Sequence, residues 1–347
     1  MFYLSTNLIV IVQQNISLKE YNTFGLDSNA KEFVVVNSID ELEAIIQVFN
    51  LKNRKLLILG GGSNVLLAND FDGMVIKINL TGIEKINEDE NHVWIKAMAG
   101  TIWHDLVLYC VENNYAGLEN LSLIPGCVGA APMQNIGAYG VEIKDTFVQL
   151  EAIEIKSAKH KLFTKSDCKF AYRESIFKNE AKGKYIITSV TFKLNKNYLV
   201  NTSYGAIKDV LTNNNIANPT IKDVSNAVIE IRSSKLPDPK ILGNAGSFFK
   251  NPEINTELFL DLKEKFPDLV GYKISDTKTK VAAGWLIEQC GWKGKVVGNT
   301  GSHKQQALVL VNYGNASGNE IWNLALQIQN SVKEKFGIDI IPEVNVI

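Results

Sequence analysis

The chain has 347 residues, of which 46% are hydrophobic, and a formal net charge of −1 at pH 7. This length exceeds one ordinary domain and predicts two or three lobes, while no apolar run is long enough to cross a bilayer. The net charge argues against nucleic acid or an anionic membrane surface as the main partner.

The cysteines and histidines predict neither a disulfide framework nor a metal site. The four cysteines form no CxxC pair and lie far apart, and the four histidines are equally scattered. That spacing is typical of reduced thiols in a cytoplasm. Residues 1–16 are apolar but have no Lys or Arg before Lys19, so a secretory signal would lack its charged start. We expect a ragged N-terminal extension, no metal and a cytoplasmic protein.

The first elements form a predicted strand–helix–strand unit. Residues 33–36 and 56–59 are apolar runs typical of buried strands. Between them, Ser38 and Glu41 predict a capping box that opens a helix. The second strand runs into a loop that could bind a phosphate or diphosphate through exposed amides, or could be a tight structural turn; the loop consists of Gly60, Gly61, Gly62, Ser63 and Asn64.

The middle of the chain contains a long segment of small residues. Residues 74–78 and 93–99 predict strands, and a helix is expected from about residue 101 to 113. Residues 123–140 then hold four glycines and hardly a charge. A solvated linker would be more polar, so we expect a loop packed against something flat and partly apolar, such as a dinucleotide cofactor. Close packing of backbone on backbone is the alternative.

Two further strands, at 147–155 and 185–194, flank an arginine between aromatic residues. Arg173 in this setting suits bidentate recognition of a carboxylate, although an Arg–Glu surface pair fits the spacing as well. Tyr204 precedes Gly205 and could form a mobile flap or a plain turn.

The last third begins after a predicted linker at 213–220. Asp223 is expected to cap a helix, and further helices are expected at 256–266, 281–290 and 317–336, with a strand at 307–311. Residues 243–252 surround Ser247 with glycines and two phenylalanines. Ser247 is either a catalytic hydroxyl under aromatic cover or a loop serine beside two core phenylalanines.

Together these motifs resemble the MurB family, the UDP-N-acetylenolpyruvoylglucosamine reductases of peptidoglycan synthesis, in their longer, type I form. The resemblance runs from about residue 17 to residue 345. The matching stretches are 22–25, 60–64, 124–140, 172–178, 235–239, 243–252, 282–294 and 305–311. One departure is the run Val-Gly-Ala-Ala-Pro at 128–132, where the family more often has Ser or Thr, so that a hydroxyl donor to the cofactor is lost.

The resemblance implies an α+β fold, with a two-lobed FAD-binding domain of the PCMH or vanillyl-alcohol-oxidase type and an α+β substrate-binding domain. The expected divisions are 17–79 for the first lobe, 80–218 for the second and 219–336 for the substrate domain, with 337–347 packing back near the active site. A monomer is expected, with no nucleic-acid partner and no membrane insertion.

The implied reaction reduces an enolpyruvyl ether of UDP-N-acetylglucosamine to UDP-N-acetylmuramate, as a step in cell-wall biogenesis that supports cell shape and division. NADPH first reduces bound FAD, NADP⁺ leaves, and the sugar nucleotide binds in its place. The resemblance implies that Ser247 donates a proton and that Arg173 and Glu343 polarise the substrate carboxylate. Burial is expected to raise the pKa of Glu343.

The resemblance also implies the binding residues. Those for FAD are Gly60, Gly61, Gly62, Ser63, Asn64, Pro125, Gly126, Gly129, Ala130, Gln134, Asn135, Gly137 and Ala138. Those for the uridine diphosphate sugar are Tyr172, Tyr204, Lys235, Asn251 and Gln305.

Three other functions are weaker interpretations of these residues. A flavin oxidase of the same fold would often tether FAD through a His or Cys in the loop at 60–64, and this loop has neither. A serine hydrolase would need a glycine two residues after Ser247, where Phe249 stands. A non-catalytic flavin- or nucleotide-binding module would not require Arg173, Ser247 and Glu343 together.

Overall fold

The computed structural model describes residues 2–4 and 8–347, and the side chains from residue 10 onward. The chain divides into two compact units, each made of separate stretches. The first unit contains residues 1–16, 30–61 and 72–234; the second contains residues 17–29, 62–71 and 235–347. The predicted division into two cofactor lobes and a substrate domain stays a prediction.

Eight α-helices lie in the described part of the chain. They are α1 (Ile39–Phe49), α2 (Trp103–Glu112), α3 (Lys165–Cys168), α4 (Gly205–Asn213), α5 (Ile221–Lys235), α6 (Thr256–Lys265), α7 (Ala283–Gln289) and α8 (Gly318–Phe336). Short 3₁₀ helices occur at Lys19–Tyr21, Leu51–Asn53, Glu119–Leu121, Val128–Met133, Ile143–Asp145 and Ile176–Lys178. Within residues 2–4 and 8–347, no helix combines the length and apolar character that a membrane span requires.

The strands are short, and most of them pair antiparallel. In chain order they are β1 (Phe2–Leu4), β2 (Leu8–Val10), β3 (Gln13–Ser17), β4 (Asn29–Val36), β5 (Leu56–Leu59), β6 (Val65–Leu66), β7 (Phe71–Ile78), β8 (Ile83–Glu88), β9 (His92–Met98), β10 (Gly137–Ala138), β11 (Val141–Glu142), β12 (Phe147–Glu154), β13 (His160–Thr164), β14 (Tyr185–Asn195), β15 (Gly243–Ser247), β16 (Glu253–Asn255), β17 (Gly271–Lys273), β18 (Lys278–Val281), β19 (Val296–Val297), β20 (Thr300–Ser302), β21 (Val309–Asn312) and β22 (Asn345–Val346).

The first unit is built on two sheets. One has the strand order β3-β4-β7-β5, and the other has the order β13-β12-β14-β9-β8. The predicted strand–helix–strand unit is β4–α1–β5, but β7 lies between its two strands and pairs parallel with β5. A large hydrophobic cluster, which includes buried residues of α1 and α2, lies in this unit, and a smaller one joins α4 to α5.

The N-terminal stretch is not a ragged extension, so that prediction was wrong for the described residues. Strand β1 pairs antiparallel with β2, and β3 joins the first sheet. Val10 and Val12 are buried in the core of the first unit. Apolar side chains that pack against a partner surface hold a chain end in place.

The second unit carries a four-stranded sheet of order β15-β21-β20-β19 and a three-stranded sheet of order β16-β18-β17. A second hydrophobic cluster lies against them, and helices α7 and α8 contribute to it. The capping box predicted at Ser317 and Glu320 opens α8 and is confirmed. Strand β22, at the C-terminus, pairs parallel with β6.

Two predicted helix starts were inexact. Asp223 does not cap α5; Thr220 does, because its hydroxyl accepts a hydrogen bond from the Asp223 amide while the Asp223 carboxylate accepts from Thr220. Helix α7 begins at Ala283 rather than at residue 281, because Val281 still belongs to β18. The Thr220 cap sets the first boundary, and the end of strand β18 sets the second.

Candidate active site

Ser247 ends strand β15 at a β-bulge. Asn244 pairs with Val311, and Ser247 pairs with Val309. The chain therefore advances three residues along β15 where it advances only two along β21. Gly246 has a φ of 69°, which glycine adopts without strain, and its amide donates to the Asn244 side chain at 2.9 Å. A bulge bends its strand and re-aims the side chain that follows. It leaves the Ser247 side chain exposed.

The two phenylalanines after Ser247 belong to the hydrophobic core of the second unit. Phe248 and Phe249 are both buried in the core of the second unit, with their ring centroids 5.1 Å apart. The alternative that they are core residues is therefore correct. Their burial fixes the backbone on which Ser247 stands.

Glu343 lies beside the serine loop. Its amide donates to the Phe248 carbonyl at 2.8 Å, and the amide of Lys250 donates to the Ile341 carbonyl at 2.9 Å. The Asn64 side chain also donates to the Glu343 carbonyl, at 3.4 Å. The Glu343 side chain is half-buried. The fold thus brings Glu343 opposite the residue that follows Ser247, although 95 positions separate the two in the sequence (343 − 248).

Of the three predicted substrate residues in the second unit, one has a hydrogen-bonded side chain and two are exposed. Asn251 uses its side-chain oxygen to accept the amide of Ala283 at 3.0 Å, which caps the start of α7. Gln305 is exposed in the turn between β20 and β21, and Lys235 is exposed at the end of α5. Only for Asn251 does the structure give a contact that orients the side chain.

The two predicted FAD-binding segments meet at Gly60 and Gly61 of the first unit. A Cβ at Gly61 would lie 2.9 Å from the Gly126 Cα, and one at Gly60 would lie 3.6 Å from the Cys127 Cβ. Residue 61 therefore has no room for a side chain, and the two main chains run against each other. Close packing of backbone on backbone and cofactor binding, which the sequence left as alternatives, are compatible here.

The segment 123–140 is more regular than the predicted loop. A 3₁₀ helix covers Val128–Met133, and β10 pairs with β11 after it. Val128 and Ala131 are buried in the core, whereas Pro125 and Ala130 are exposed. Small residues permit this tight path, which explains their number.

Arg173 is held within the first unit by two contacts. Its Nη2 donates to the Gly137 carbonyl at 2.6 Å, and its guanidinium lies 5.3 Å from the centroid of the Tyr172 ring. The hydrogen bond fixes the plane of the guanidinium, as bidentate recognition of a carboxylate requires.

Tyr204 stands immediately before helix α4 rather than in a plain turn. Its ring meets that of Tyr139 edge to face, with centroids 5.1 Å apart, and its side chain is 44% exposed. Burial raises the pKa of Tyr139 and lowers the pKa of Arg232, with which Tyr139 shares a hydrogen bond. The Nε of Arg232 also donates to the Leu123 carbonyl at 3.2 Å. Sequence reasoning assigned no role to Tyr139 or Arg232, because nothing in their spacing indicates the contact.

Metal ligation finds no support among the described residues. They bring no group of three or more His, Cys, Asp or Glu side chains into a cluster that could hold a metal ion. Burial raises the pKa of the Cys168 thiol to about 12, and it raises the pKa of the Cys127 thiol as well. The expectation of no metal stays a prediction.

Two family descriptions match the chain. Residues 238–347 match the C-terminal domain of UDP-N-acetylenolpyruvoylglucosamine reductase, and residues 30–159 match an FAD binding domain. A crystal structure of UDP-N-acetylenolpyruvylglucosamine reductase (MurB) from Thermus caldophilus shares the fold. Its TM-score is 0.66 at 24% identity, over 97% of this chain and 99% of that one. The predicted fold class, an FAD-binding domain of the PCMH type with a second α+β domain, is confirmed.

Curated relatives share far more of the sequence. The UDP-N-acetylenolpyruvoylglucosamine reductase of Flavobacterium johnsoniae is 58% identical over 337 residues, which is 97% of this chain and 99% of the relative. The enzyme of the same name from Amoebophilus asiaticus is 49% identical over 336 residues, again 97% of this chain and 99% of the relative. The resemblance drawn from the motifs is thereby confirmed, and the chain belongs to the UDP-N-acetylenolpyruvoylglucosamine reductase family.

Proposed function

We propose that the chain is an FAD-dependent, NADPH-dependent reductase that converts UDP-N-acetyl-3-O-(1-carboxyvinyl)-glucosamine to UDP-N-acetylmuramate. Family membership supports the reaction. The observation that supports the assignment of residues best is the main-chain hydrogen bond from the Glu343 amide to the Phe248 carbonyl, which joins residue 343 to the residue after Ser247. The reaction belongs to peptidoglycan synthesis, and with it come a cytoplasmic location and a part in cell shape, division and cycle. We also propose that the enzyme acts as a monomer.

FAD suits the surroundings of Gly61 and Gly126. Its predicted binding segments run together where Gly61 meets Gly126, so main chain rather than side chain forms their meeting surface. Main-chain amides suit a diphosphate, and closely packed small residues suit a flat ring system. We propose that Gly60–Asn64 and the segment from Pro125 to Ala138 hold it. When bound, FAD supplies the hydride chemistry, with NADPH as the reductant.

Ser247 is proposed to supply the proton. Reduction of the enolpyruvyl double bond adds a hydride at the terminal carbon and a proton at the carbon that bears the ether oxygen. The Oγ–H bond of Ser247 breaks as the new C–H bond forms, and the alkoxide left behind takes a proton from water. Exposure of the Ser247 side chain supports that last step, because solvent reaches it.

Arg173 and Glu343 are proposed to act on the substrate carboxylate. Hydride addition to an electron-rich enol ether needs the carboxylate to accept charge, and a guanidinium stabilises charge that develops there. Glu343 would have to carry or share a proton, since a second full negative charge would oppose the reaction. The hydrogen bond from Arg173 to Gly137 supports the proposal by fixing the guanidinium.

The remaining residues are proposed to hold the uridine diphosphate sugar. Lys235 provides a point charge for the phosphates, and Tyr172, Tyr204, Asn251 and Gln305 provide hydrogen bonds. The contact that supports this best is the one between Asn251 and Ala283, which turns the amide of Asn251 in a fixed direction.

Ser247→Ala separates the two half-reactions. FAD should stay bound and NADPH should still bleach it, because Ser247 is assigned only to protonation. Reoxidation by the enolpyruvyl substrate should slow by more than the roughly 10²–10⁴-fold of an ordinary general acid. Stopped-flow absorbance measures both steps, with the exposed Ser166→Ala as a control. Equal loss of both half-reactions would make Ser247 structural.

Glu343→Gln tests the carboxyl. The substitution keeps the shape and the main-chain hydrogen bond to Phe248, so folding, FAD content and reduction by NADPH should be normal. Hydride transfer to the enolpyruvyl group should slow, because the amide cannot exchange a proton. Glu253→Gln, at an exposed position of β16, is the control. Wild-type reoxidation rates in Glu343→Gln would leave this carboxyl without a catalytic role.

A further inference from the structure

Arg173 stands with Tyr172 at the tip of a two-residue turn. Ala171 and Glu174, on either side, exchange two main-chain hydrogen bonds of 3.1 Å each. Arg173 itself has a φ of 54°, in the left-handed region, which is strained for a residue with a Cβ. Such strain persists only where neighbouring contacts hold the residue in place. The contacts that do so therefore bear on the function of Arg173.

Three hydrogen bonds tie this turn to the cofactor segment, and we call them the clasp. The Ser175 hydroxyl donates to the Met133 carbonyl at 2.7 Å. The Asn135 side chain donates to the Ala171 carbonyl at 3.1 Å. Arg173 Nη2 donates to the Gly137 carbonyl at 2.6 Å. The clasp thus joins this segment to the turn at three points, residues 133, 135 and 137.

Asn135 is the buried centre of the clasp. Its side chain is fully buried, and its Nδ2 makes a second bond to the carboxylate of Glu142 at 2.9 Å. Its Oδ1 accepts the main-chain amide of Lys144 at 3.1 Å. Both amide hydrogens and one lone pair are therefore engaged inside the unit. A side chain with its donors used in this way is poorly suited to donate to a cofactor.

Glu142 holds Asn135 from the other side. Its carboxylate accepts from Asn135 and forms an ion pair of 2.6 Å with Lys144, while its side chain is 22% exposed. A Cβ at Gly137 would lie 2.7 Å from the Glu142 Cγ and 3.3 Å from Arg173 Nη1. Glu142, Gly137 and Arg173 thus pack against one another, and a displacement of the Glu142 side chain would alter the position of the guanidinium.

We propose that Asn135 and Glu142 are positioning residues of the reductase: they act through the clasp to hold the Arg173 guanidinium for the substrate carboxylate. This rests on the proposed function, in which Arg173 binds that carboxylate. Asn135 then serves substrate recognition rather than direct contact with FAD, the role expected of it from the sequence. The three hydrogen bonds of the clasp join segment 133–137 to the arginine turn.

The test compares two ligands that differ in the carboxylate. The enolpyruvyl ether of UDP-N-acetylglucosamine carries it, and UDP-N-acetylglucosamine lacks it. Calorimetric titration gives the Kd of each for the wild type, Asn135→Asp, Arg173→Ala and the double variant. Asn135→Asp keeps the shape but removes both donors. It should weaken binding of the enolpyruvyl ether about tenfold or more, and leave UDP-N-acetylglucosamine and FAD content unchanged.

The double variant distinguishes positioning from a structural role. In the Arg173→Ala background no guanidinium remains to be positioned, so Asn135→Asp should weaken binding by less than about twofold further. An undiminished effect in that background, or loss of affinity for both ligands, would overturn the proposal. If Arg173→Ala bound both ligands like the wild type, the proposed role of Arg173 itself would fail. If Arg173→Ala weakened binding of the enolpyruvyl ether alone but Asn135→Asp had no effect, only the positioning role of the clasp would be refuted.

Glu142 gives a second path if Asn135→Asp does not fold, because its side chain reaches solvent. Glu142→Ala should weaken binding of the enolpyruvyl ether several-fold when Arg173 is present, but not in the Arg173→Ala background. Glu142→Gln keeps an oxygen for Asn135 and should restore the wild-type Kd. Lys144→Ala removes the ion pair but leaves all three bonds of Asn135, so it should be silent. Equal effects of Glu142→Gln and Glu142→Ala would contradict the proposal.

Discussion

At the scale of single residues, Tyr204 shows how a proposed substrate contact can be tested separately from packing. Its ring meets Tyr139 edge to face, while its side chain stays 44% exposed. An edge-to-face pair contributes about 0.5–1.5 kcal/mol through the rings, independently of the hydroxyl. Replacing Tyr204 by Phe therefore removes the phenol oxygen and keeps the ring contact.

Tyr204→Phe should weaken the apparent affinity for the sugar nucleotide and leave FAD content almost unchanged. A hydrogen bond to a charged phosphate is worth about 1.5–3 kcal/mol. Steady-state kinetics and a flavin absorbance spectrum measure the two quantities. Since the ring contact survives in the variant, an unchanged Michaelis constant would remove Tyr204 from the substrate site.

At the scale of elements, the cap at the start of helix α8 makes a contribution to stability that depends on pH. The Ser317 hydroxyl accepts the Glu320 amide at 3.2 Å, and the Glu320 carboxylate accepts the Ser317 amide at 2.7 Å. These hydrogen bonds to Ser317 hold the pKa of Glu320 below its ordinary value. A carboxyl whose pKa is lowered in the folded state stabilises the fold above its unfolded pKa, and that contribution is lost as the pH falls through the folded pKa.

Glu320→Ala should therefore lower the free energy of unfolding at pH 7, and the difference from wild type should shrink once the pH falls below about 4.3, the ordinary value for glutamate. Urea unfolding at a series of pH values measures it. Glu334→Ala, at an exposed position of the same helix, is the control. A difference that stayed constant or grew in acid would show that the Glu320 charge does not stabilise the cap.

Elements were predictable where the signal is local. Leu56–Leu59 is a continuous apolar run between Lys55 and Gly60, and the structure has the strand at those four residues. The cap at Ser317 was predictable for the same reason. The bulge at Ser247 was not, because it depends on which strand β15 pairs with.

The candidate site follows the same division. Glycines, aromatic residues and the family motifs identified Ser247, Arg173 and Glu343 as candidates, yet no pattern in the sequence indicates the clasp. Asn135 and Ala171 are joined by a hydrogen bond although 36 positions separate them in the sequence. Contacts set by tertiary packing leave no periodic trace in the sequence.

At the scale of the whole molecule, the second unit is assembled from three distant stretches. Residues 17–29 and 62–71 belong to it together with 235–347. The Asn312 side chain donates to the Phe24 carbonyl at 2.9 Å, and the Asn244 amide donates to the Thr23 carbonyl at 3.0 Å. Phe24, Leu26 and Leu66 are all buried in its hydrophobic cluster.

A fragment of residues 235–347 should therefore not fold alone, although its residues 238–347 match one family domain. It would lose burial of three large side chains, at about 1.5–3 kcal/mol each, against a typical stability of about 5–15 kcal/mol for a whole domain. It would also leave the Asn312 amide without its carbonyl partner. Circular dichroism and amide proton dispersion measure the outcome.

The matched control joins residues 17–29 and 62–71 to the same fragment through flexible linkers. This restores the hydrogen bonds to Thr23 and Phe24 and the burial of Leu66, so cooperative unfolding should return. Loop closure by such linkers costs little, because its entropy grows only with the logarithm of their length. A well-dispersed spectrum from 235–347 alone would mean that the two short stretches cover a core that is already complete without them.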